Sequence, residues 1–466
     1  MRPQHVQDAY LELVTTITPG PQSITYFLPL MLLIAGLLIP PHVLSHNALA
    51  TLILPVSIAS TVHAWLSMGS LDVVSVDTLW WTLFFLVFRD PREDFRRLVD
   101  AAENNEDQGM VTSMSIDRAS TDYQTGQCPA TAEHGYPERF RRRLQWVLFL
   151  IQERLLTSWK TGERSHDAKV LPPYIKQSRR TFIISILVVL GPALILTMPL
   201  ALQLGAHDPF FSAPGQSLSM PLAIPGSDVP TMVAILQQAV PTLFLRPLTL
   251  GLYLYSLMII LFLPPFLLPV LLTFLIPSGH TARWSPHTWP RPHFGPFSTV
   301  LDHGLRGLWG RWWHQQMRHA VSEPGRWLSA KLGLQRNGLP RYAMICCSAF
   351  LLSGLTHAGL VPAQPRWAKL YEPWELRLRF AAFFWIQPAG ILAEMIVVEP
   401  MLQRLAGAAP YPSTKTIVRM LRVCWVLVFM CLALTFLHDP FIELGYWKIW
   451  PPAFLAAGFQ SNLGVD

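Results

Sequence analysis

The chain alternates long apolar runs with polar connections, and the runs are too uniform to be the half-buried faces of a soluble domain. Ile24–Ile39 comes first and is closed by Pro40-Pro41; Ala48–Leu66 and Leu71–Phe88 follow, with Asp72 and Asp77 toward the start of the latter. Crossing a bilayer takes roughly 17–20 apolar residues, so these runs predict membrane spans as a group. From 89 to 180 the chain turns polar. An Asn/Asp/Ser-rich tract there predicts partial disorder, and Arg141–Trp159 mixes bulky apolar residues with charge, as a segment lying on a membrane surface does. Thr181–Leu202 is a clear span. Thr231–Leu245 reads as partial or re-entrant, and the run from Leu248 to Ile276 is broken by Pro264-Pro265. Tyr342–Val361, Leu376–Val398 and Ile417–Leu437 bring the total to about eight. The pattern predicts an all-α, polytopic helical bundle in which residues 1–466 form a single membrane-embedded domain.

Composition agrees: 51% of residues are hydrophobic, only 14% are charged, and mean hydropathy is +0.32. The net charge of +7 is scattered through loops, which marks a cytoplasmic side rather than a nucleic-acid partner. Arg139, Arg141, Arg142 and Arg143 place the 89–180 connection on that side, while Gln203–Pro230, without Lys or Arg, suits the other. Pro277–Pro340 then faces the cytoplasm. The first twenty residues lack the flank, apolar run and cleavage site of a signal peptide, so entry through the first span is expected. The five cysteines show neither a disulfide framework nor metal spacing. No internal repeat is visible, which leaves an inverted-repeat transporter without support.

Two histidines stand out. His357 lies near the end of an apolar run, where a polar side chain needs a partner or a task. At helical spacing Cys346, Phe350, Ser353 and Gly354 share its face, and small Gly354, Ala358 and Gly359 let a helix or a ligand come close. It reads equally as a base in a chamber or as a histidine bonded across helices. His314 lies in a Trp- and Arg-rich segment. As one helix, Trp309–Arg318 would put Arg311, His314, Gln315 and Arg318 on one side and Trp309, Trp313, Gln316 and Met317 on the other, an interfacial amphipath. Phe383, Gln387, Gly390 and Glu394 share a face of the next run. Glu394, near the predicted cytoplasmic end, is expected to snorkel to water, while Gln387 reads equally as a functional group or as one that satisfies backbone groups freed by Pro388. His438-Asp439 reads as an interface pair. There is no GxSxG elbow and no P-loop, and His287, His293 and His303 lack metal-site spacing, so no metal is expected.

The words LRGLWGRWWHQ at Leu305–Gln315 and SGLTHAG at Ser353–Gly359 resemble the signature segments of the wax synthase-like branch of the membrane-bound O-acyltransferases, and WPRPHFG at Trp289–Gly295 resembles the stretch leading into the first. The resemblance is specific over roughly 286–362, and looks closest to fungal members that acetylate terpenoid and meroterpenoid alcohols in secondary metabolism. It implies a many-helix fold around an intramembrane reaction chamber, in a multi-pass protein of the endoplasmic reticulum. It places His357 as the catalytic histidine and His314 as the second polar residue. Leu308 and Trp312 depart from the common FWGRRWHQ pattern, which leaves the phosphates of the donor to Arg306, Arg311 or Arg318, with Gln315 beside them. Trp313, Phe350, Ser353, Gly354, Gln387 and Glu394 are the expected pocket. The implied co-substrate is acetyl-CoA or another acyl-CoA, with a hydrophobic alcohol as acceptor and no tightly bound cofactor. Alternatives are a wax ester synthase using long acyl groups, a membrane terpene cyclase with Glu394, Asp72 or Asp77 as the acid, and a non-enzymatic transporter.

Overall fold

The computed structural model describes residues 23–67, 73–100, 131–154, 156, 159–161, 184, 187–188, 191–212, 215–216, 229–275, 295–313, 315–361, 370–408 and 412–444. Five helices there are long and apolar enough to cross a membrane: His46–Trp65, Thr242–Ile259, Leu339–Ala358, Pro373–Gly407 and Thr414–Glu443. Three shorter apolar helices, Tyr26–Leu37, Ser75–Phe88 and Ile195–Ala206, lie among them.

The N-terminal part packs α1 (Ser23–Leu37), α2 (His46–Ser67) and α3 (Val73–Leu83, extended by a π turn to Phe88) around Leu33, Leu37, Leu49, Ile53 and Phe85. The polar connection is not purely helical or disordered. It forms a three-stranded antiparallel sheet of β1 (Phe95–Asp100), β2 (Thr131–His134) and, after α4 (Phe140–Gln152), β3 (Trp159–Thr161), in the order β2-β1-β3. In register, Arg97 faces His134 on one side and Trp159 on the other. Strands of three to six residues are too short to show a period of two against so much charge, and the all-α expectation missed them.

Helix α4 buries Trp146, Val147 and Leu150 against this part and leaves Arg141 and Arg142 exposed. Its buried stripe faces protein, while Phe140 and Leu148 stay exposed. The sheet region also closes the end of α1, whose last carbonyls have no partner within the helix. Tyr136 donates its hydroxyl to the Leu37 carbonyl at 2.6 Å, Arg143 reaches Leu38 at 2.7 Å, and Arg92 reaches Ile39 and Leu44 at 3.0 Å each. Asp90 grips the other side of Arg92, which is buried.

The C-terminal part contains α5 (Met198–Ala206), α6 (Thr231–Ala239), α7 (Thr242–Leu275), α8 (Ser298–Gly307), α9 (Arg318–Lys331), α10 (Leu339–Ala358), α11 (Pro373–Trp385), α12 (Gln387–Ala393), α13 (Glu399–Ala408) and α14 (Pro412–Glu443). Short α6 ends before Pro241, in keeping with a partial span. Helix α7 runs through Pro264-Pro265 without the expected break; apolar helices tolerate proline where neighbours and local adjustment absorb the lost bonds. The Leu376–Val398 run is a broken rod instead of one helix. It divides at Ile386 ahead of Pro388, and the Gln387 amide donates to the Phe383 carbonyl at 2.8 Å, as one of its two readings expects.

Charge gathers at the two ends of the bundle. At one, Arg419 pairs with Asp302 at 2.8 Å and Arg422 with Glu399 at 2.7 Å. At the other, Asp439 accepts from His438 Nδ1 (2.8 Å), the Gly215 N–H (3.0 Å), the Tyr371 hydroxyl (2.8 Å) and Arg379 (3.0 Å). Along α14 the two ends are roughly 30 Å apart at 1.5 Å per residue, the thickness of a hydrocarbon core. His438 and Asp439 are buried, not an exposed interface pair: His438 stacks on Phe210 with centroids 3.8 Å apart and bonds its carbonyl through Nε2 at 3.0 Å. Beside them Arg246 forks onto Asp208 at 2.8 and 2.9 Å.

Arg246→Met should leave Asp208 buried without its counter-ion and destabilise the fold by about 3–5 kcal/mol. A fall in thermal midpoint in detergent, largely reversed by adding Asp208→Leu, checks it.

Candidate active site

Helix α10 starts at the Gly338–Pro340 turn and carries Ser353, Thr356 and His357 to mid-bundle. The His357 Nδ1–H donates to the Ser353 carbonyl one turn back, at 2.8 Å, with the Ser353 hydroxyl at 3.5 Å. That bond fixes the tautomer and leaves Nε2 as the basic nitrogen. The ring is partly accessible and stacks on Phe384 of α11, centroids 4.0 Å apart and planes 27° from parallel. One residue earlier, the Thr356 hydroxyl donates to Leu352 and accepts from the Trp80 indole at 2.7 Å, which ties α10 to α3.

Opposite stands Trp309. Its indole N–H donates to Gln387 Oε1 at 2.9 Å, and its ring packs edge-on against Phe350 (5.5 Å), Trp313 (5.8 Å) and Phe383 (6.1 Å). Phe384 touches both Trp309, at 6.3 Å, and His357. The fold thus brings His357, Ser353, Phe350, Trp313 and Gln387 into one aromatic neighbourhood. Gly354 belongs to a helix contact, not a ligand space: the Trp385 indole and the Ala381 carbonyl fill the place a Cβ would take.

Trp309–Arg318 is not one helix. Helix α8 widens into a π turn at Leu308–Trp312, the chain turns extended at Trp313 (φ −62°, ψ 155°), and α9 starts afresh at Arg318. Arg311, Gln315 and Arg318 therefore do not share a helical side. Gln315 is buried, folding its amide back onto the Trp309 and Trp313 carbonyls. The wide turn instead aims Trp309 at Gln387 and stacks Trp312 on Tyr255 at 5.6 Å, while the Gly295 N–H holds the Trp312 carbonyl at 2.9 Å. These indoles are partly buried and pack on one another, on Phe350 and on Tyr255. His314, Asp72 and residues 289–294 of the lead-in motif lie outside the described residues.

Glu394 does not snorkel. It is 3% exposed and accepts from the N–H groups of Leu305 (2.6 Å) and Arg306 (3.4 Å). It does so where Gly304 turns through φ 56°, ψ −133°, conformational space open almost only to glycine. A carboxylate holding two backbone donors is committed to that kink, and Asp77 is likewise buried and paired with Arg154; neither is poised as the acid of a cyclase. Arg306 lies near Glu394 at 3.9 Å, and Arg311 is exposed. Burial first, then the charges of Arg311 and Arg306, hold the His303 imidazole below its usual pKa against the opposing charge of Asp302. Arg306 and Glu394 belong to the Asp302 end of the bundle and do not meet His357. From Phe384 to Glu394 is roughly 15 Å along the broken rod.

Sequence reasoning missed Phe384, Thr356 and Trp80. Phe384 sits next to Phe383, which the face of the predicted span did single out, but the break at Ile386 shifts which residues face α10.

Residues 289–385 match the model of the membrane bound O-acyl transferase family. Acetyltransferase nanB of Aspergillus nanangensis is 28% identical over 184 residues, 39% of this chain and 42% of the relative. Acetyltransferase ple2 of Rhodocybe pseudopiperita is 39% identical over 82 residues (17% and 20%), and acetyltransferase aurG of Calcarisporium arbuscula 41% over 71 (15% and 16%). Each match spans less than half the relative's length. No solved structure matches. The O-acyl transferase segment covers α8 to α11, and so holds His357, Trp309 and Phe384 together.

Gly304→Ala should cost about 1–3 kcal/mol, because alanine cannot hold the positive φ and its Cβ would press on the Glu394 carboxylate. The check is the thermal midpoint in detergent, with Gly310→Ala, whose added Cβ meets open space, leaving it within about 1 kcal/mol of the parent, the usual cost scale of a helix position.

Proposed function

We propose that the protein is an O-acyltransferase that moves an acetyl group from acetyl-CoA to a hydroxyl of a hydrophobic terpenoid or meroterpenoid alcohol, working as a multi-pass protein of the endoplasmic reticulum. The observation that carries the reading is His357: Nδ1 is committed to the Ser353 carbonyl, and Nε2 is left as a base within the bundle. Further support comes from the family match over 289–385 and from three relatives named acetyltransferases.

His357 Nε2 takes the hydroxyl proton as the alcohol oxygen attacks the thioester carbonyl. The carbon–sulfur bond then breaks, the thiolate of CoA leaves, and the proton passes to it. The acceptor arrives from the bilayer, and the donor's phosphates dock near Arg306, Arg311 and Arg318, since guanidinium groups suit phosphate. His314 orients the donor or stabilises the developing oxyanion. Phe384 fixes the plane of the imidazole, and the apolar surroundings keep water from the thioester.

His357→Ala should leave expression intact and lower transfer by roughly 10²–10⁴-fold, the usual worth of base assistance. Labelled acetyl-CoA fed with candidate alcohols to microsomes, with products read by mass spectrometry, measures this; near-normal transfer would defeat the assignment. In the same assay His314→Ala should lose roughly 10²–10³-fold if it supplies an oxyanion donor. A new covalent product formed without acetyl-CoA would point to a cyclase, and one formed only with long acyl-CoA to a wax ester synthase. Phe384→Leu, which keeps the volume apolar but removes the stacking plane, should lower kcat with little change in the KM for acetyl-CoA.

A further inference from the structure

Three apolar helices of the N-terminal part run out at one level. His46, at the start of α2, donates through Nε2 to the Phe85 carbonyl near the end of α3, 3.2 Å away. Arg92, just past α3, holds the Ile39 and Leu44 carbonyls just past α1. Two amphipathic helices stand at that level. The first turn of α4 is tied to the end of α1 by the bond from Arg143 to Leu38. Helix α9 is tied to the end of α3 by Arg89 to Glu323 at 3.1 Å, and by Phe88 edge-on to Trp327 at 6.0 Å. The ends of apolar spans lie where acyl chains give way to headgroups.

Both helices present apolar side chains outward there. Helix α4 packs Trp146, Val147 and Leu150 against protein. On its other side Phe140, Leu144 and Leu148 follow at four-residue intervals and so form a ridge. Phe140 is 63% exposed, Leu148 is exposed as well, and Arg139, Arg141 and Arg142 are exposed around the first turn. At the end of α9, Trp327 and Leu332 are exposed beside Lys331, whose ammonium lies 5.8 Å from the centre of the Trp327 ring. From 139 to 152, and again from 324 to 341, the chain carries four basic residues and no acidic one. Glu138 precedes the first stretch; Glu323 precedes the second and is held by Arg89.

What covers such a surface is apolar and negatively charged at once, and sits level with the ends of the spans. RNA or an acidic peptide would answer the arginines and leave the Phe140 ridge in water. A zwitterionic lipid would cover the ridge and leave the net positive charge unanswered. An anionic phospholipid does both, with its headgroup at the guanidinium groups and an acyl chain along the ridge. Tryptophan suits the same depth, because its ring is apolar and its N–H polar. We propose that α4 and α9 dock this end of the protein on an anionic phospholipid leaflet, with the first turn of α4 as the headgroup site.

The test places the full chain in phosphatidylcholine nanodiscs doped with a phosphatidylserine that carries a diazirine at the headgroup end of one acyl chain, or with the matching phosphatidylcholine probe. No acyl transfer enters the measurement, so its outcome is independent of the reading of His357. Photolysis and peptide mass spectrometry should place the serine lipid on residues 139–148 and 327–332, in preference to the choline lipid. A basic residue near an anionic surface is worth about fivefold in binding, so Arg141→Gln should lower that preference about fivefold. Salt at about 1 M, where the screening length falls to about 3 Å, should remove most of it. Phe140→Ala should lower labelling of 139–148 by both lipids and leave the preference in place. Both side chains are exposed, so each variant should keep the parent's thermal midpoint in detergent. Equal labelling by the two lipids, a preference untouched by Arg141→Gln, or no lipid on either segment would overturn the proposal.

Discussion

Inside a bilayer a backbone N–H or C=O that leaves its helix has no water to turn to, and this constraint organises the structure. Four interruptions among the described residues are answered by side chains. The break before Pro388 is met by Gln387, the extended turn at Trp313 by Gln315, the kink at Gly304 by Glu394, and the end of α1 by Arg92, Arg143 and Tyr136. Three of these residues had been read as pocket or donor-binding groups from their polarity alone. Gln315 and Glu394 meet backbone groups, and Gln387 divides its amide between the Phe383 carbonyl and the Trp309 indole, so the interruptions they stabilise are what let the Trp309 segment enter the bundle.

That entry builds the aromatic neighbourhood of His357. A continuous helix from Ser298 to Arg318 would have laid its tryptophans along a surface. The π turn at Leu308–Trp312 instead sends Trp309 inward to Gln387, where its ring shares Phe384 with His357. Aromatic faces orient the imidazole without offering it a competing hydrogen bond, so Nε2 keeps its lone pair for a substrate. The charged groups are held apart at the two ends: Asp302, Glu399, Arg419 and Arg422 at one, Asp208, Arg246, Arg379 and Asp439 at the other. A thioester with an anionic handle can thus be held at an end while its reactive carbon reaches the apolar middle.

The sequence by itself determined the apolar rods, because roughly 20 residues without charge have few other stable homes, and it singled out His357 as a polar group in one of them. It did not place the breaks: the run expected to break at Pro264-Pro265 stays helical, and the span read as continuous divides ahead of Pro388. Only the tertiary structure decided what each polar residue is for. Glu394 looked free to reach water until α8 brought two N–H groups to it from some ninety residues away, and His438-Asp439 looked like an edge pair until Gly215, Tyr371 and Phe210 closed over them. The small sheet is of the same kind, since its strands pair across long separations and carry almost no signal singly. A partner's position along the chain is not written in the residue that needs it; packing alone sets which distant segments meet, and so which buried groups are satisfied and which, like His357 Nε2, are left available.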